Sequence, residues 1–496
     1  MTRAVDGRTT AFHREAMATV LALAALVAYY AVRFRDAILT FFFLDDFWCM
    51  SVAAHLQIHS WRDVAQFFLP SHAGFLLYRP LTQGGYFYVL RQLFGYDASG
   101  YHAFHLLVHA VTASLVFAIA RALSASTLAG LAVALIYAAA PGHGVAVYWI
   151  SAFTMTGAAL IVFSMLCLWL YTDGVWRALG CSVLQVFGLL ASEHACVAPA
   201  LLAVVALFSG RREPWARVVR DLAGPSVLVA AYLALKLYWL HTGTLVLYPP
   251  YEPTFDAAAW AVEFGRYAAA SFNALTLLDL NERAARALGF SLIVLAVVAG
   301  WRAARGGDRW RLLAIGSAMF VISLLPVLPV AHHHCDYFIG IAALGAALAV
   351  LGGCQVVTQH WRWLVSGAAA CLLLVDVATA GSALRSNEWL RDVSGGAQAS
   401  ARWLQSLPQV YGRGRFVTTE ILVPRDGLTE SVFGTWAQAE HLFYPGRPPV
   451  ILYDPKQAPS PAPGRIVLAG ASPLMGRLPG WEHRFDWLRA LAAGSQ

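Results

Sequence analysis

The sequence has few charged residues for its length. Of its 496 residues, 13% are charged and 59% are hydrophobic, whereas soluble domains carry about 25% charged residues. This deficit excludes an ordinary soluble protein, and several apolar runs approach the roughly 20 residues that cross a bilayer. The formal net charge of +7 does not require a nucleic-acid partner, because arginine next to membrane spans marks the cytoplasmic side.

Several sequence motifs are also lacking. The seven cysteines show no CxxC spacing, so we interpret them as small core residues. No Walker or Rossmann glycine pattern accompanies a strand–helix unit, so no nucleotide is implied. No internal or inverted repeat is visible, which argues against a secondary transporter. No signal-peptide cleavage pattern follows the N-terminus, so the first span is expected to remain as an anchor.

Apolar run length predicts about 11 transmembrane helices within residues 1–382. Two long loops interrupt them, at residues 35–100 and 242–286. Arginines occur before the first predicted span, after the sixth, and between the eighth and ninth. With eleven spans, these three groups lie on the same side of the membrane. This pattern predicts a cytoplasmic N-terminus and two extracytoplasmic loops. Arginine far outnumbers the two lysines, which is typical of GC-rich bacterial genomes, so we expect a bacterial inner (plasma) membrane.

The last part of the chain has a different composition. From residue 383 to 496 hydrophobicity falls, while proline, glycine and charged residues become more frequent. Strand-like runs occur at 415–423, 449–455 and 464–470. These features predict a small extracytoplasmic α/β domain. It has no tetratricopeptide period, and either acceptor binding or covering the site would suit it.

An acidic pair follows the first predicted span, in the stretch "LDDFW". Asp45 and Asp46 stand there beside interfacial aromatic residues. A solvated helix end is the simpler interpretation. The functional interpretation is a carboxylate in a half-dry position, where burial and a like-charged neighbour raise its pKa. Such a group can take the proton of an acceptor hydroxyl.

The stretch "YRPLTQGGYFYVLRQLFGYDASGYHAFHLLVHA" contains candidates for phosphate and substrate binding. Arg79 precedes a proline at which a helix can begin, and a planar guanidinium beside a helix N-terminus suits a phosphate. His102, His105 and His109 follow at helical spacing. A structural role in the helix bundle is favoured for the last two, and His102, at the outer end, is the better substrate-binding candidate.

Two further cations are candidates for the donor phosphate. Lys236 lies near the outer end of the seventh predicted span. A lysine in a span is a functional hypothesis by default, although snorkelling to the interface is equally consistent. Arg266, in the second long loop, is a weaker candidate for the same role.

The run "HHHCD", residues 332–336, suggests a metal site at first sight. Consecutive residues on a helix point about 100° apart, so the three histidines cannot all meet one ion, and zinc usually takes four ligands. A divalent metal is therefore not favoured. We prefer binding of a phosphate or sugar at the membrane surface.

Four runs resemble the transmembrane part of the GT-C glycosyltransferases: "LDDFW", "YRPLTQGGYFYVLRQLFGYDASGYHAFHLLVHA", "APGHGVAVYWIS" and "ASEHACVAPALL". The nearest pattern is the branch of membrane O-mannosyltransferases and their bacterial relatives, many of which carry tetratricopeptide repeats. The resemblance covers about residues 40–210 and weakens to about 345. It implies a polyprenyl-phosphate sugar donor and transfer of the sugar on the outer face.

The resemblance also implies roles for individual residues. The catalytic aspartate of the family falls on Asp45, with Asp46 beside it, the arginine before "PLT" falls on Arg79, and the loop-end histidine falls on His102. The remaining candidates for substrate binding lie in the later runs and are His143, Glu193, His194, His334, Asp336 and Tyr337.

Some family positions differ here. Where relatives carry an acidic residue and an arginine around "AWIS", this chain has Val145 and Phe153. The sequence therefore does not decide whether the donor sugar is a hexose or a pentose. It also leaves the alternative that the chain is a relative that has lost activity.

The sequence thus predicts a membrane glycosyltransferase with a polyprenyl-phosphate sugar donor and an Asp base acting by single inverting displacement. The acceptor hydroxyl, on a protein, lipid or glycan, is open. The alternatives are a transporter or flippase of a lipid-linked glycan and a non-catalytic glycan-assembly subunit.

Overall fold

The computed structural model of the chain is a bundle of helices with one small sheet. It describes residues 2–42, 45–56, 58–69, 78–210, 213–244, 251–271, 282–331, 334–386, 420–424, 450–453 and 465–467. All structural statements below refer to these residues.

The helices of the first half precede and surround the candidate site. They are α1 (Thr2–Arg33), α2 (Asp45–His55), α3 (Trp61–Phe67), α4 (Tyr86–Phe94), α5 (Ala98–Ser124), α6 (Thr127–Ala138), α7 (Gly142–Tyr148), α8 (Phe153–Tyr171), α9 (Val175–Ala191) and α10 (Ala198–Phe208). A π-helical turn, Pro80–Gly85, leads directly into α4.

The second half continues the bundle. Its helices are α11 (Trp215–His241), α12 (Ala257–Ala270), α13 (Glu282–Ala304), α14 (Arg311–Leu324), α15 (Ala342–Val357) and α16 (Trp361–Ser386). The predicted loop at 35–100 therefore contains α2, α3, the π-helical turn and α4, and the predicted loop at 242–286 contains α12 and the start of α13.

Five helices are long and apolar enough to cross a membrane. In the described part of the chain they are Glu15–Arg33, Ala98–Ser124, Ile150–Tyr171, Trp215–His241 and Arg283–Ala304. A sixth results if the bent pair α6–α7 counts as one span. The fold is that of an α-helical membrane protein, as predicted. Shorter apolar helices occupy the places of further predicted spans, at Val175–Ala191, Glu193–Phe208, Ala342–Val357 and Trp361–Leu374.

A bend separates α6 from α7. The two helices meet at 65°, and Pro141 between them cannot donate a backbone hydrogen bond. A Cβ atom on Gly142 would overlap the carbonyl oxygen of Asp336. The absence of a side chain at Gly142 thus lets the start of α7 pack against the 3-10 turn Asp336–Gly340.

Helices α9 and α11 pack side by side in the same direction. Arg177, near the start of α9, pairs with Asp221, near the start of α11. Glu193, just after α9, lies near Lys236 in the last two turns of α11. The two helices therefore present charged groups at both of their ends, which are separated along α11 by about 22 Å.

A three-stranded parallel sheet lies late in the chain. Its strands are β1 (Glu420–Pro424), β2 (Val450–Tyr453) and β3 (Arg465–Val467), in the order β2-β1-β3. Ile421 pairs with Val450 on one side and with Ile466 on the other. β2 and β3 lie within two of the strand-like runs of the sequence, and β1 begins inside the run at 415–423 and ends one residue beyond it. Parallel strands need long crossover connections, in agreement with their wide spacing along the chain.

Candidate functional site

The acidic pair opens α2 and divides into one buried and one accessible carboxylate. Neighbouring residues on a helix diverge by about 100°, so Asp45 and Asp46 face different surroundings. Asp46 is 0% exposed and accepts a hydrogen bond of 2.7 Å from the backbone N–H of Ser151. Asp45 is half-buried. Asp46 therefore ties α2 to the 3-10 turn just before α8, and Asp45 is the more accessible carboxylate of the pair.

Asp45 has the electrostatic character of a general base. Burial raises the pKa of its carboxyl from 3.8 to about 6. A base works best when its pKa lies near the working pH. Asp45 is thus able to take a proton near neutral pH, in contrast to an ordinary surface aspartate.

Arg79 is fixed by a two-point ion pair with Glu193. The Arg79 Nε donates to Oε2 of Glu193 at 2.8 Å, and its Nη2 donates to Oε1. Arg79 is 5% exposed. It immediately precedes the π-helical turn, a feature often found at functional sites. Thr82 in that turn donates to the carbonyl of Ala191 at 2.6 Å, so the turn is held against the end of α9.

Lys236 joins the same carboxylate less closely. Its Nζ lies 3.9 Å from Oε2 of Glu193 and 5.7 Å from the centre of the Tyr232 ring. The side chain is 15% exposed. No hydrogen bond from the ammonium to a described residue is present, although an ammonium has three donors. We call Arg79, Glu193 and Lys236 the site cluster.

The site cluster and Asp45 share neighbours. Burial raises the pKa of Tyr251 to about 12, while Arg79 acts in the lowering direction and Asp45 in the raising direction. Burial likewise raises the pKa of Cys49, with Asp45 and Asp46 adding to the rise and Arg79 opposing it. Tyr251 and Cys49 are thus both within electrostatic range of Asp45 and of Arg79.

Tyr337 and Tyr251 supply aromatic surface beside Arg79. Both tyrosines act electrostatically on Arg79. Tyr337 is 5% exposed and packs edge-on against Trp149 at 5.6 Å between ring centres. Tyr337 was predicted from the sequence. Tyr251 was not, and its only signal was an aromatic residue in the proline-rich "YPPYEP" beside a span.

His102 and His143 lie inside the bundle. His102 is 0% exposed, and its Nδ1 is 3.2 Å from the carbonyl oxygen of Val147. His143 is 2% exposed and packs on Tyr137 at 4.4 Å between ring centres. Both side chains therefore support the walls of the site from behind rather than line its accessible part.

His105 and His109, further along α5, share one buried threonine of α8. The Oγ1 of Thr156 lies 3.2 Å from Nε2 of His105 and 3.0 Å from Nε2 of His109. All three residues are at most 4% exposed. The favoured structural role of His105 and His109 agrees with this geometry, because they link α5 to α8.

His194, next to Glu193, also has a supporting position. It is 4% exposed, its Nδ1 is 2.9 Å from the hydroxyl of Ser192, and its ring stacks on Phe338 at 5.3 Å. It holds the turn that carries Glu193.

His334 lies between two carboxylates in a separate group. Its Nδ1 is 2.7 Å from Glu263 and its Nε2 is 3.1 Å from Asp336. Burial alone lowers the pKa of His334, but the hydrogen bonds to Asp336 and Glu263 raise it to about 9. Arg266 donates to Glu263 from the same helix. Arg266, Glu263, His334 and Asp336 therefore form a separate polar cluster, the clip, which connects α12 to the chain before α15. In this clip Arg266 is paired with Glu263 and not with Glu193.

Among the described residues, no group of three or more histidine, cysteine, aspartate or glutamate side chains is placed to hold a metal ion. His332 and His333 lie outside those residues.

The positions that depart from the GT-C pattern are filled by packing. Val145 is 3% exposed in α7. Phe153 stacks on Tyr86 with ring centres 3.7 Å apart and planes 13° apart. A charged side chain would be buried at the position of Val145 and partly buried at that of Phe153, and burying a charge costs free energy unless it is paired. Val145 thus belongs to the hydrophobic core and Phe153 packs against it.

No protein-family model matches the chain, and no curated protein matches it.

Proposed function

We propose that the chain is an integral membrane glycosyltransferase that uses a polyprenyl-phosphate sugar donor. The single observation that carries this proposal is the site cluster beside a base. Arg79 and Lys236 meet at one carboxylate, and Asp45, with its pKa near 6, acts on the same neighbouring tyrosine as Arg79. Cations for a phosphate and a base for a hydroxyl are what such a transfer needs.

In the proposed reaction the donor phosphate binds Arg79 and Lys236. The acceptor hydroxyl gives its proton to Asp45 as its oxygen forms a bond to the anomeric carbon. The bond from that carbon to the phosphate oxygen breaks, and its electron pair leaves with the phosphate. The acceptor attacks from the face opposite the phosphate, so the anomeric centre is inverted.

The arrangement in the membrane is part of the proposal. We propose about eleven spans, a cytoplasmic N-terminus, a bacterial inner membrane and an outer α/β domain at 383–496. Pairing of charged groups supports the sidedness: Arg121 pairs with Glu15 at 2.6 Å, and Arg177 with Asp221 at 2.6 Å. Each pair joins helix ends that the proposal assigns to the cytoplasmic side. The site cluster lies at the opposite ends of α9 and α11.

A second candidate function is translocation of a lipid-linked glycan. The specific observation in its favour is the 65° break between α6 and α7, because broken spans are common in transporters. Against it, Asp45 and the site cluster lie at helix ends rather than at the break.

The test uses the purified full chain in nanodiscs and in vesicles with a radiolabelled polyprenyl-phosphate sugar. Cleavage of the sugar from the lipid, with transfer to an added membrane-extract acceptor or to water, is expected for the wild type and not for Asp45→Asn. Movement of intact labelled lipid between leaflets without cleavage would instead support translocation. If the label neither moves nor is cleaved, an assembly subunit becomes the better reading.

A further inference from the structure

The site cluster contains two cations and one anion. Glu193 accepts two hydrogen bonds from Arg79 and lies 3.9 Å from Lys236. The three side chains together carry a formal charge of +1. Because the side chains of Arg79, Glu193 and Lys236 are only 6%, 22% and 15% exposed, water screens this charge weakly.

The donor and its leaving group differ by one negative charge. A polyprenyl-phosphate sugar is a phosphodiester with a single negative charge. When the bond to the anomeric carbon breaks, the phosphate keeps the electron pair and becomes a monoester, which carries about −1.5 to −2 at pH 7. The acceptor proton neutralises Asp45 in the same step, so the total charge is unchanged.

We infer that Glu193 sets the charge selectivity of this site: it leaves one positive charge, which matches a phosphodiester and disfavours a phosphate monoester. The inference rests on the proposed function and adds a task for Glu193. With Glu193 absent, Arg79 and Lys236 would offer two positive charges and hold the product. With Glu193 present, the phosphate monoester is repelled by the Glu193 carboxylate. It is also repelled by the Asp45 carboxylate once Asp45 has returned its proton to water. Glu193 thereby favours product release.

A purely orienting role for Glu193 predicts the opposite result. If the carboxylate only holds the Arg79 guanidinium in place, its removal should weaken binding of diester and monoester alike. A charge-selecting role predicts tighter binding of the monoester and a smaller change for the diester. The two roles therefore predict opposite changes in the affinity for the monoester when the Glu193 carboxylate is removed.

The experiment titrates two probes, a polyprenyl phosphate and its monomethyl ester, into the full chain in phosphatidylcholine nanodiscs at pH 7.5. Tryptophan fluorescence or displacement of labelled donor reports the affinity. We expect the wild type to prefer the methyl ester. Glu193→Gln should tighten binding of the polyprenyl phosphate about tenfold and that of the methyl ester by no more than about threefold.

Two variants serve as controls. Glu213→Gln makes the same change in a partly buried ion pair at the other end of α9 and α11 and should leave the preference unaltered. Glu193→Asp keeps the charge and should keep the wild-type preference for the methyl ester. This variant decides the question if Glu193→Gln fails to fold. Loss of the preference in Glu193→Asp would overturn the inference. Equal weakening of both probes, or an unchanged ratio in Glu193→Gln, would overturn it too. A wild type that binds neither probe would instead overturn the proposed function.

Discussion

Helices α9 and α11 carry a buried ion cluster at each end, and the two clusters are built differently. At the starts of the helices Arg177 is 0% exposed and donates to both Asp221 and Glu213, with four bonds of 2.6–2.9 Å. It also lies 4.4 Å from the centre of the Trp169 ring. We call Arg177, Glu213 and Asp221 the anchor cluster. At the other ends, the site cluster has two cations for one carboxylate.

The difference lies in how fully the donors are used. In the anchor cluster every guanidinium nitrogen of Arg177 has a carboxylate partner, and Asp221 is itself 0% exposed. In the site cluster, the ammonium of Lys236 is 3.9 Å from its nearest carboxylate oxygen. A satisfied buried network specifies structure, whereas an excess cation near a surface is ready for an anionic ligand. The anchor cluster thus has the character of a structural ion cluster, and the site cluster is the one that we propose binds the donor phosphate.

The largest expected effect belongs to the anchor cluster. Arg177→Ala removes the guanidinium that Asp221 and Glu213 share, although Asp221 keeps the exposed Arg220. Loss of one member of a buried pair destabilises by about 3–5 kcal/mol. Thermal unfolding in detergent should show a lowered Tm. The combined change of Arg177 to Met with Asp221 and Glu213 to Leu should recover most of it. An unaltered Tm in Arg177→Ala would remove the distinction between the two clusters.

Asp45→Asn should affect turnover rather than stability. Removal of a general base lowers the rate by about 100-fold or more, and the amide keeps the shape of the side chain. Because the pKa of Asp45 is raised to about 6, the wild-type rate should rise as pH increases through 6 and then level off. The measurement is sugar transfer from labelled donor across pH 4.5–8. Asp308→Asn, at an exposed carboxylate, is the control, and equal rates in wild type and Asp45→Asn would refute the role.

Lys236→Met should weaken donor binding about tenfold, since a charge-assisted hydrogen bond contributes about 1.5–3 kcal/mol. The Tm should stay nearly constant, because no hydrogen bond of the described chain is lost. The measurement is the affinity of Lys236→Met for a polyprenyl-phosphate sugar, compared with the affinities of the wild type and of Lys236→Arg. Lys236→Arg keeps the charge and should keep most of the binding. A large fall in Tm with unchanged affinity would show that Lys236 belongs to the structure instead.

The smallest effect concerns the clip of His334. Its pKa is raised to about 9, so its stabilising contribution is fully present below the ordinary value of about 6.5 and is lost as pH rises through 9. His334→Gln should lower the free energy of unfolding by about 1 kcal/mol at pH 6, a small value because the side chain is 31% exposed. The Tm difference from wild type should shrink towards pH 10. A difference that grows with pH would contradict the assigned charge.

Parts of this architecture could be predicted from the sequence because their signals are local. Apolar run length predicted the long spans, and short strand-like runs predicted the approximate positions of the three strands. The acidic pair at Asp45 and Asp46, and the rare Lys236, stood out against apolar surroundings. In each case a few neighbouring residues carry the information.

Other parts depend on contacts between distant residues. Nothing near Arg79 indicates that Glu193, 114 residues later, is its partner. The anchor cluster was missed because Arg177, in a short polar connection, looks like an ordinary interfacial arginine until α9 and α11 are packed. The sequence also did not indicate which aspartate is buried and which is accessible, because the burial of Asp46 depends on its hydrogen bond from the N–H of Ser151. The length of the shorter apolar helices likewise reflects packing that run length does not report.

The bond between Arg79 and Glu193 also has a consequence for how the protein is made. Translation delivers Arg79 to the membrane well before Glu193, which follows 114 residues later, and Lys236 emerges later still. The nascent chain must keep the guanidinium hydrated, or hold it at the lipid headgroups, until α9 has been inserted. Closure of the site cluster is therefore a late event of biogenesis, and chains released before α11 is synthesised would contain Arg79 and Glu193 but not Lys236.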